Sequence, residues 1–269
     1  MVRVIACAII VASSGLSSFS SASEVGSYVI DQGSSLNDSD VSVELLASGS
    51  LWKEAKYEVE GAFRFEERKD GTYLVVESDF KTKKGPDLKF VLSTMDYTSV
   101  KAKTALRGSL IVGELQSFEG EQEFLLPAGT DVLKYKSLLV HCEEKTILWA
   151  SAPIHAGELI THGSSWTKKV NKITGHWEIA RTQDGLVLRL GSDFKTKNAP
   201  DLKFILSPKN VETVNSKNAV EGGQIFGKLT IVKGQSAYLV KDVESLAGYQ
   251  SLLIYCEEFT KCWGGASLQ

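Results

Sequence analysis

The sequence is poor in the features that point to familiar chemistry. It has no Cys-x-x-Cys pair, no phosphate-cradling glycine loop, no Ser/His/Asp set and no paired carboxylates at a catalytic spacing, so nothing supports a hydrolase or a kinase. It lacks an excess of positive charge. Its 30 Lys and Arg stand against 33 Asp and Glu, a net −3, and no Lys/Arg-rich face can be read from the spacing, so a nucleic-acid partner is not expected. No apolar run reaches the ~20 residues that a transmembrane helix needs, so the mature chain is expected to have no membrane-spanning segment. No long stretch has helical periodicity either. Cysteine is scarce, at four residues in 269.

What the sequence has instead is a long repeat. Shifted by 114 residues, it lies on itself: Trp52 on Trp166, Gly61 on Gly175, Pro86 on Pro200, Cys142 on Cys256 and Trp149 on Trp263. Between Ser78–Ser93 and Ser192–Ser207, 13 of 16 positions are identical. Solenoid units run about 20–50 residues, so a period of this length is that of a whole small domain. The boundaries read as copy one over 44–157 and copy two over 158–269, each large enough to bury its own core. So little chain joins them that the copies are expected to touch.

Ahead of the repeat, residues 1–23 read as a secretory signal: Arg3, then the apolar Val4–Val11, then small residues with a cut after Ala22 or Ser23. The mature product is expected to be secreted, or periplasmic or extracellular. Val4-Ile5-Ala6-Cys7 lies too near the start for a lipoprotein box, and Cys7 goes with the leader. Residues 24–43 read as a polar, flexible lead-in containing the glycosylation triplet Asn37-Asp38-Ser39. Cys142, Cys256 and Cys262 remain, an odd number in a compartment where disulfides can form.

Within each copy, short β-branched and aromatic runs alternate with turn residues. Ala62–Phe65, Tyr73–Val76, Leu88–Leu92, Ser109–Val112, Glu123–Leu126 and Ser137–Cys142 read as strands, and Asp70-Gly71 and Asp184-Gly185 as hairpin turns. The fold class is therefore all-β, two tandem antiparallel β-sandwich or barrel domains related by internal duplication.

The repeat also serves as an internal control, because an inherited site should recur in both copies. Asp79, Asp87 and their twins Asp193 and Asp201 lie around polar turns. Bonding to backbone accounts for them better than a Ca²⁺ site, which needs six or more oxygens. His141, His155, His162 and His176 align with Tyr255, Gln269, Ser48 and Ala62, so no histidine is shared and no metal site is expected. The four repeated tryptophans, Trp52, Trp149, Trp166 and Trp263, are expected to close the cores. Cys142 and Cys256 do recur. Strand alternation puts them on one apolar face with Leu138 and Val140, or with Leu252 and Ile254, the setting of a buried thiol. Cys262 has no twin. It could bridge to Cys256 across a bend, bridge two molecules or stay unpaired; along a straight strand, six residues span about 20 Å and exclude a bond.

The ordered set Gly85-Pro86-Asp87-Leu88, Gly113-Glu114-Leu115, Gly120-Glu121-Gln122, Leu126-Pro127, Tyr135-Lys136-Ser137, Cys142, Trp149 and Ala152 resembles the DM-thirteen domain. Copy two repeats it with Pro200-Asp201-Leu202, Gly227-Lys228-Leu229, Gly234-Gln235, Tyr249-Gln250-Ser251, Cys256, Trp263 and Ala266. That family is described as an electron-transfer module and occurs in Skeletor-like and bacterial exported proteins. The resemblance implies a redox role for Cys142 and Cys256, as bare thiols or beside a prosthetic group such as haem, and a redox or extracellular protein partner. Tyr57 and Asn171 replace the family's early His, Ala199 replaces a glycine, and Lys145 stands where copy two has the aromatic Phe259. Two expectations follow: a redox module using both cysteines, or a non-enzymatic extracellular binding or matrix module with the cysteines as core.

Overall fold

The computed structural model describes residues 43–268. The leader, the lead-in up to residue 42, the glycosylation triplet and Cys7 lie outside the described residues. Copy one contributes β1 (Glu44–Gly49), β2 (Lys53–Glu54), β3 (Val59–Glu60), β4 (Phe63–Arg68), β5 (Gly71–Val76), β6 (Lys81–Thr82), β7 (Leu88–Ser93), β8 (Leu110–Glu114), β9 (Gln122–Leu125), β10 (Ser137–Cys142), β11 (Ile147–Pro153) and β12 (His155–Ala156). Copy two contributes β13 (Glu158–Gly163), β14 (Thr167–Lys168), β15 (Ile173–Thr174), β16 (Trp177–Thr182), β17 (Gly185–Leu190), β18 (Lys195–Thr196), β19 (Leu202–Ser207), β20 (Gln224–Lys228), β21 (Ser236–Leu239), β22 (Ser251–Cys256) and β23 (Lys261–Ser267). Three short 3₁₀ turns are the only helical pieces among the described residues.

Each copy is built from two open antiparallel sheets and a two-stranded ribbon. In copy one the sheets run β12-β1-β4-β5-β9 and β2-β11-β10-β7-β8, with β3 paired to β6. Copy two repeats this as β13-β16-β17-β21, β14-β23-β22-β19-β20 and β15-β18. The inward faces of both sheets feed one core per copy. Phe63, Phe65, Leu74 and Val76 meet Leu88, Phe90, Leu138 and Val140 in the first, and Trp177, Ile179, Leu188 and Leu190 meet Leu202, Phe204, Leu252 and Ile254 in the second. This is a sandwich; with sheets open at both edges, the barrel alternative falls away. Burying each such large apolar side chain contributes about 1.5–3 kcal/mol.

Local chemistry explains the connections. The hairpin β4–β5 closes Arg68 onto Gly71 and β16–β17 closes Thr182 onto Gly185, so the glycine predicted in each turn is the first residue after it. Gly61 and Gly175 sit at φ +95 and +103, where a Cβ would lie 2.5 and 2.4 Å from the Cα of Phe80 and Phe194. Their carbonyls accept the indole N–H of Trp52 and Trp166, both at 2.8 Å. The paired tryptophans thus lock the same bend in each copy.

Candidate functional site

The strand β10, Ser-Leu-Leu-Val-His-Cys, is buried at all six positions because sheet neighbours flank it on both sides and side chains cover both faces. Alternation sends Leu138, Val140 and Cys142 into the main core. It sends Leu139 to the opposite face, under a cover that includes Val100, Ala102 and Ala105. His141 on that opposite face is buried, and burial lowers its pKa from the ordinary histidine value. Copy two repeats the scheme, with Cys256 in the main core and Leu253 and Tyr255 on the far face.

Each cysteine ends its strand opposite the leucine of the Pro-Asp-Leu segment, Cys142 with Leu88 and Cys256 with Leu202. Both are 0% exposed. The Cys142 thiol donates to the Pro86 carbonyl at 3.2 Å. The Trp149 ring lies over the same turn, and a Cβ on Gly85 would come within 2.7 Å of it. Ala199 fills the glycine's place in copy two, and there the Trp263 indole donates to the Lys197 carbonyl at 3.1 Å. Tyr57 packs at a tilt of 51° against Trp149 with ring centroids 4.3 Å apart, and the Lys83 ammonium lies 4.7 Å from the centre of the Tyr57 ring. In copy one, a half-buried tyrosine and a buried tryptophan therefore lead inward to the turn that holds the thiol. Asn171 leaves copy two without the outer member.

The structure does not bring the two predicted site residues together, since each belongs to its own core. Cys262 joins neither. A bulge between Ile254 and Tyr255 shifts the β22–β23 register so that Tyr255 faces Cys262 and Cys256 faces Lys261. Cys262 therefore packs with Leu253 and Tyr255 on the sheet face away from Cys256. All three thiols are free, which removes the intrachain bridge. Burial pushes the Cys262 thiol up to about 11.

Haem, implied by the family resemblance, does not fit around these cysteines. A cysteine-ligated haem needs a pocket of about 300–1,000 Å³ with the sulfur at its wall. Both sulfurs are sealed among leucine, isoleucine, valine and phenylalanine side chains, and neither lines any of five surface clefts of about 330–520 Å³. Among the described residues, no three His, Cys, Asp or Glu side chains converge as metal ligands. The aspartates of the repeated turn have partners of their own. Asp79 accepts the Ala62 amide and Asp193 the His176 amide, both at 3.0 Å, while Asp87 and Asp201 pair with Lys89 and Lys203.

Sequence reasoning did not find a polar cluster where the copies touch. Alternation along β16 turns Trp177 and Ile179 into the core and Glu178 outward, yet Glu178 is 1% exposed because copy one covers it. Its carboxylate accepts the Ser50 hydroxyl at 2.8 Å and Arg189 at 3.1 Å, and lies 3.3 Å from His155 Nδ1. Burial by itself would raise the Glu178 pKa; the contact with His155, the Arg189 charge and the Ser50 bond outweigh it and hold the group below the usual carboxylate range. Nearby, His162 Nε2 of copy two lies 3.0 Å from Asp79 of copy one, and that bond lowers the Asp79 pKa. A cleft of about 520 Å³ opens beside this seam, with His155, Arg189, Tyr97 and Tyr135 among its walls. The one sequence signal was a charge exchange, since Glu178 stands where copy one has Arg64.

No curated protein and no solved structure matches the chain. A family model described as electron transfer DM13 matches it twice, over residues 51–154 and 166–268. These segments contain both buried cysteines, most of the chain and all of each sandwich except β1, β12 and β13. The chain belongs to the electron-transfer DM13 family, which it carries as a tandem pair.

Proposed function

We propose that this chain is an exported electron-transfer module in which the sulfurs of Cys142 and Cys256 are the redox-active atoms, one per copy. The observation that carries this reading is the recurrence of a cysteine at the same rung of the same strand in both copies, while every histidine differs. Family membership supports the redox class. Burial restricts the mode. Thiol–disulfide exchange needs an attacking thiolate to reach the sulfur, which a fully enclosed side chain prevents in the folded state. Each thiol would instead give one electron through the intervening protein to an oxidising partner docked outside, with Trp149 and Tyr57 on the path in copy one, and release its proton to become a thiyl radical, which regains both electron and proton when a reducing partner docks. The leader-like residues 1–23 support a secreted or periplasmic location. The test is electron exchange between the purified protein and a one-electron dye. Cys142→Ser/Cys256→Ser should abolish it, and unchanged exchange overturns the proposal.

The complete burial of both thiols favours a second reading, a non-enzymatic binding or matrix module in which the cysteines are core. On that reading Cys142→Ala/Cys256→Ala lowers stability and leaves partner binding intact. Loss of binding with the fold preserved counts against it. Both readings enclose the thiols and predict alkylation only after denaturation, so dye exchange separates them: present and lost with the cysteines on the first reading, absent on the second.

A further inference from the structure

The duplication has split the charge. Copy one, residues 44–157, carries 15 Lys and Arg against 18 Asp and Glu; copy two, residues 158–269, carries 14 against 11. The change is concentrated on one structural feature, the two-stranded ribbon and the bridge beside it. In copy one the ribbon pairs Glu60 with Lys81, and Lys81 bridges to Glu119 on its other side. An acid thus flanks the lysine on each side across the rung. In copy two the same rung is Thr174, Lys195 and Lys233. One step along, Glu58 and Lys83 of copy one become Lys172 and Lys197. Three acids and two bases have become four bases and no acid.

These four lysines are exposed, and among the described residues none of them has a carboxylate within ion-pair distance. Lys172, Lys195 and Lys197 line a groove of about 480 Å³ with Thr174 and Thr196. Neighbouring strands stand about 5 Å apart and alternate residues about 7 Å apart along a strand, so Lys172, Lys195 and Lys197 take three corners of a patch of roughly those dimensions, Thr174 takes the fourth, and Lys233 stands one strand further out beside Lys195. Four unpaired like charges repel one another, and a ligand with closely spaced negative groups relieves that repulsion.

We propose that this groove on copy two binds a sulfated polysaccharide chain. Lysines act as point charges suited to successive sulfates, and Thr174 offers a hydroxyl to the sugar. The groove lining contains no aromatic side chain on which bases could stack and no apolar side chain to enter a bilayer, which sets it apart from single-stranded nucleic-acid and membrane sites. Copy one cannot share the activity, because Glu58, Glu60 and Glu119 neutralise the equivalent surface.

The test is calorimetric titration of the full chain with a heparin-derived oligosaccharide at several salt concentrations. If four lysines each release a counterion, affinity falls roughly a hundredfold between 50 and 200 mM salt, and Lys195→Gln/Lys233→Gln reduces that fall to about tenfold. Glu58→Lys/Glu60→Thr/Glu119→Lys should build the groove on copy one and raise the stoichiometry from one to two. All substituted positions are on the surface, and near-UV circular dichroism checks the fold. An unchanged salt slope in the double variant, or a stoichiometry that stays at one in the triple variant, overturns the proposal. An oligonucleotide of equal charge, or phosphatidylserine vesicles, binding as tightly through the same lysines also overturns it, by showing charge attraction without sugar selectivity.

Discussion

Glu178 offers the sharpest test of how the two copies are joined. Glu178→Ala removes a carboxylate that is 1% exposed and strands three groups at once: the Arg189 guanidinium, with its side chain 13% exposed, the Ser50 hydroxyl and the His155 ring. Breaking a buried ion pair from one side costs about 3–5 kcal/mol, because the remaining charge stays desolvated without a partner. With a urea m-value of about 2–3 kcal/mol/M for a protein this size, the unfolding midpoint should fall by roughly 1–2 M. Glu178→Ala/Arg189→Met removes the stranded charge and should recover part of the loss, with a coupling of about 0.5–3 kcal/mol in the double-mutant cycle. Ser50 and His155 come from copy one, so the single variant should also loosen the copies from each other. Fluorescence and far-UV circular dichroism, followed together in urea, should give transitions that no longer coincide. A loss below about 1 kcal/mol with no coupling to Arg189 would refute the view that this carboxylate is a paired, buried charge.

Other outcomes follow from the same structure. Gly61→Ala and Gly175→Ala each force a Cβ into the Phe80 or Phe194 backbone at positive φ, and should cost about 1–3 kcal/mol apiece in thermal or urea unfolding. Cys262, with its pKa pushed up to about 11, should resist maleimide at pH 8 in the folded protein and react at once in denaturant. Glu178, Asp79 and Asp193 all have pKa values lowered in the fold. Their contribution to stability is complete above the unfolded carboxylate values and is lost as pH falls through the depressed ones, so acid unfolding should set in below about pH 4 and shift measurably in Glu178→Gln. Tyr57→Phe should leave stability nearly unchanged; if the Tyr57–Trp149 contact carries electrons, it should slow dye exchange in copy one alone, read in a Cys256→Ser background.

Much of the sandwich was legible because its central strands announce themselves. Ser137–Cys142 is apolar at alternate positions and beyond, and Asp-Gly marks the hairpins, so β10 and both turns emerged with nearly correct bounds. The two-residue strands β2, β3, β6 and β12 did not, since two residues cannot display a period. β11 was hidden by its run of Ala, Ser and Pro, small residues that fit a crowded sheet without advertising a strand. The facing of Cys142 and Cys256 followed from alternation alone. That of Cys262 did not, because the turn over 257–260 pairs Cys256 with Lys261 and so turns the next residue, Cys262, to the opposite face. The Glu178 cluster was invisible for a different reason: its members lie up to 139 residues apart, between Ser50 and Arg189, and the repeat offers no twin. The lysine groove and Lys233 beside it likewise draw on three separate stretches of sequence, so no run of basic residues betrayed them.

The seam changes what kind of object the duplication has produced. A newly doubled domain is modular, and either half can be excised, shuffled or repeated again without loss. Here Ser50 of one copy completes the hydrogen bonding of a carboxylate in the other, and the connecting residue Gly157 accepts from Ser48 at 2.8 Å while a Cβ on it would lie 2.3 Å from the Arg181 carbonyl. Copy two released from its neighbour exposes a glutamate that the intact chain keeps dry, and reversing the order of the copies leaves Ser50 facing no acid. The two halves share an ancestry and a core, but they have become complementary parts that recombination can no longer trade as equals.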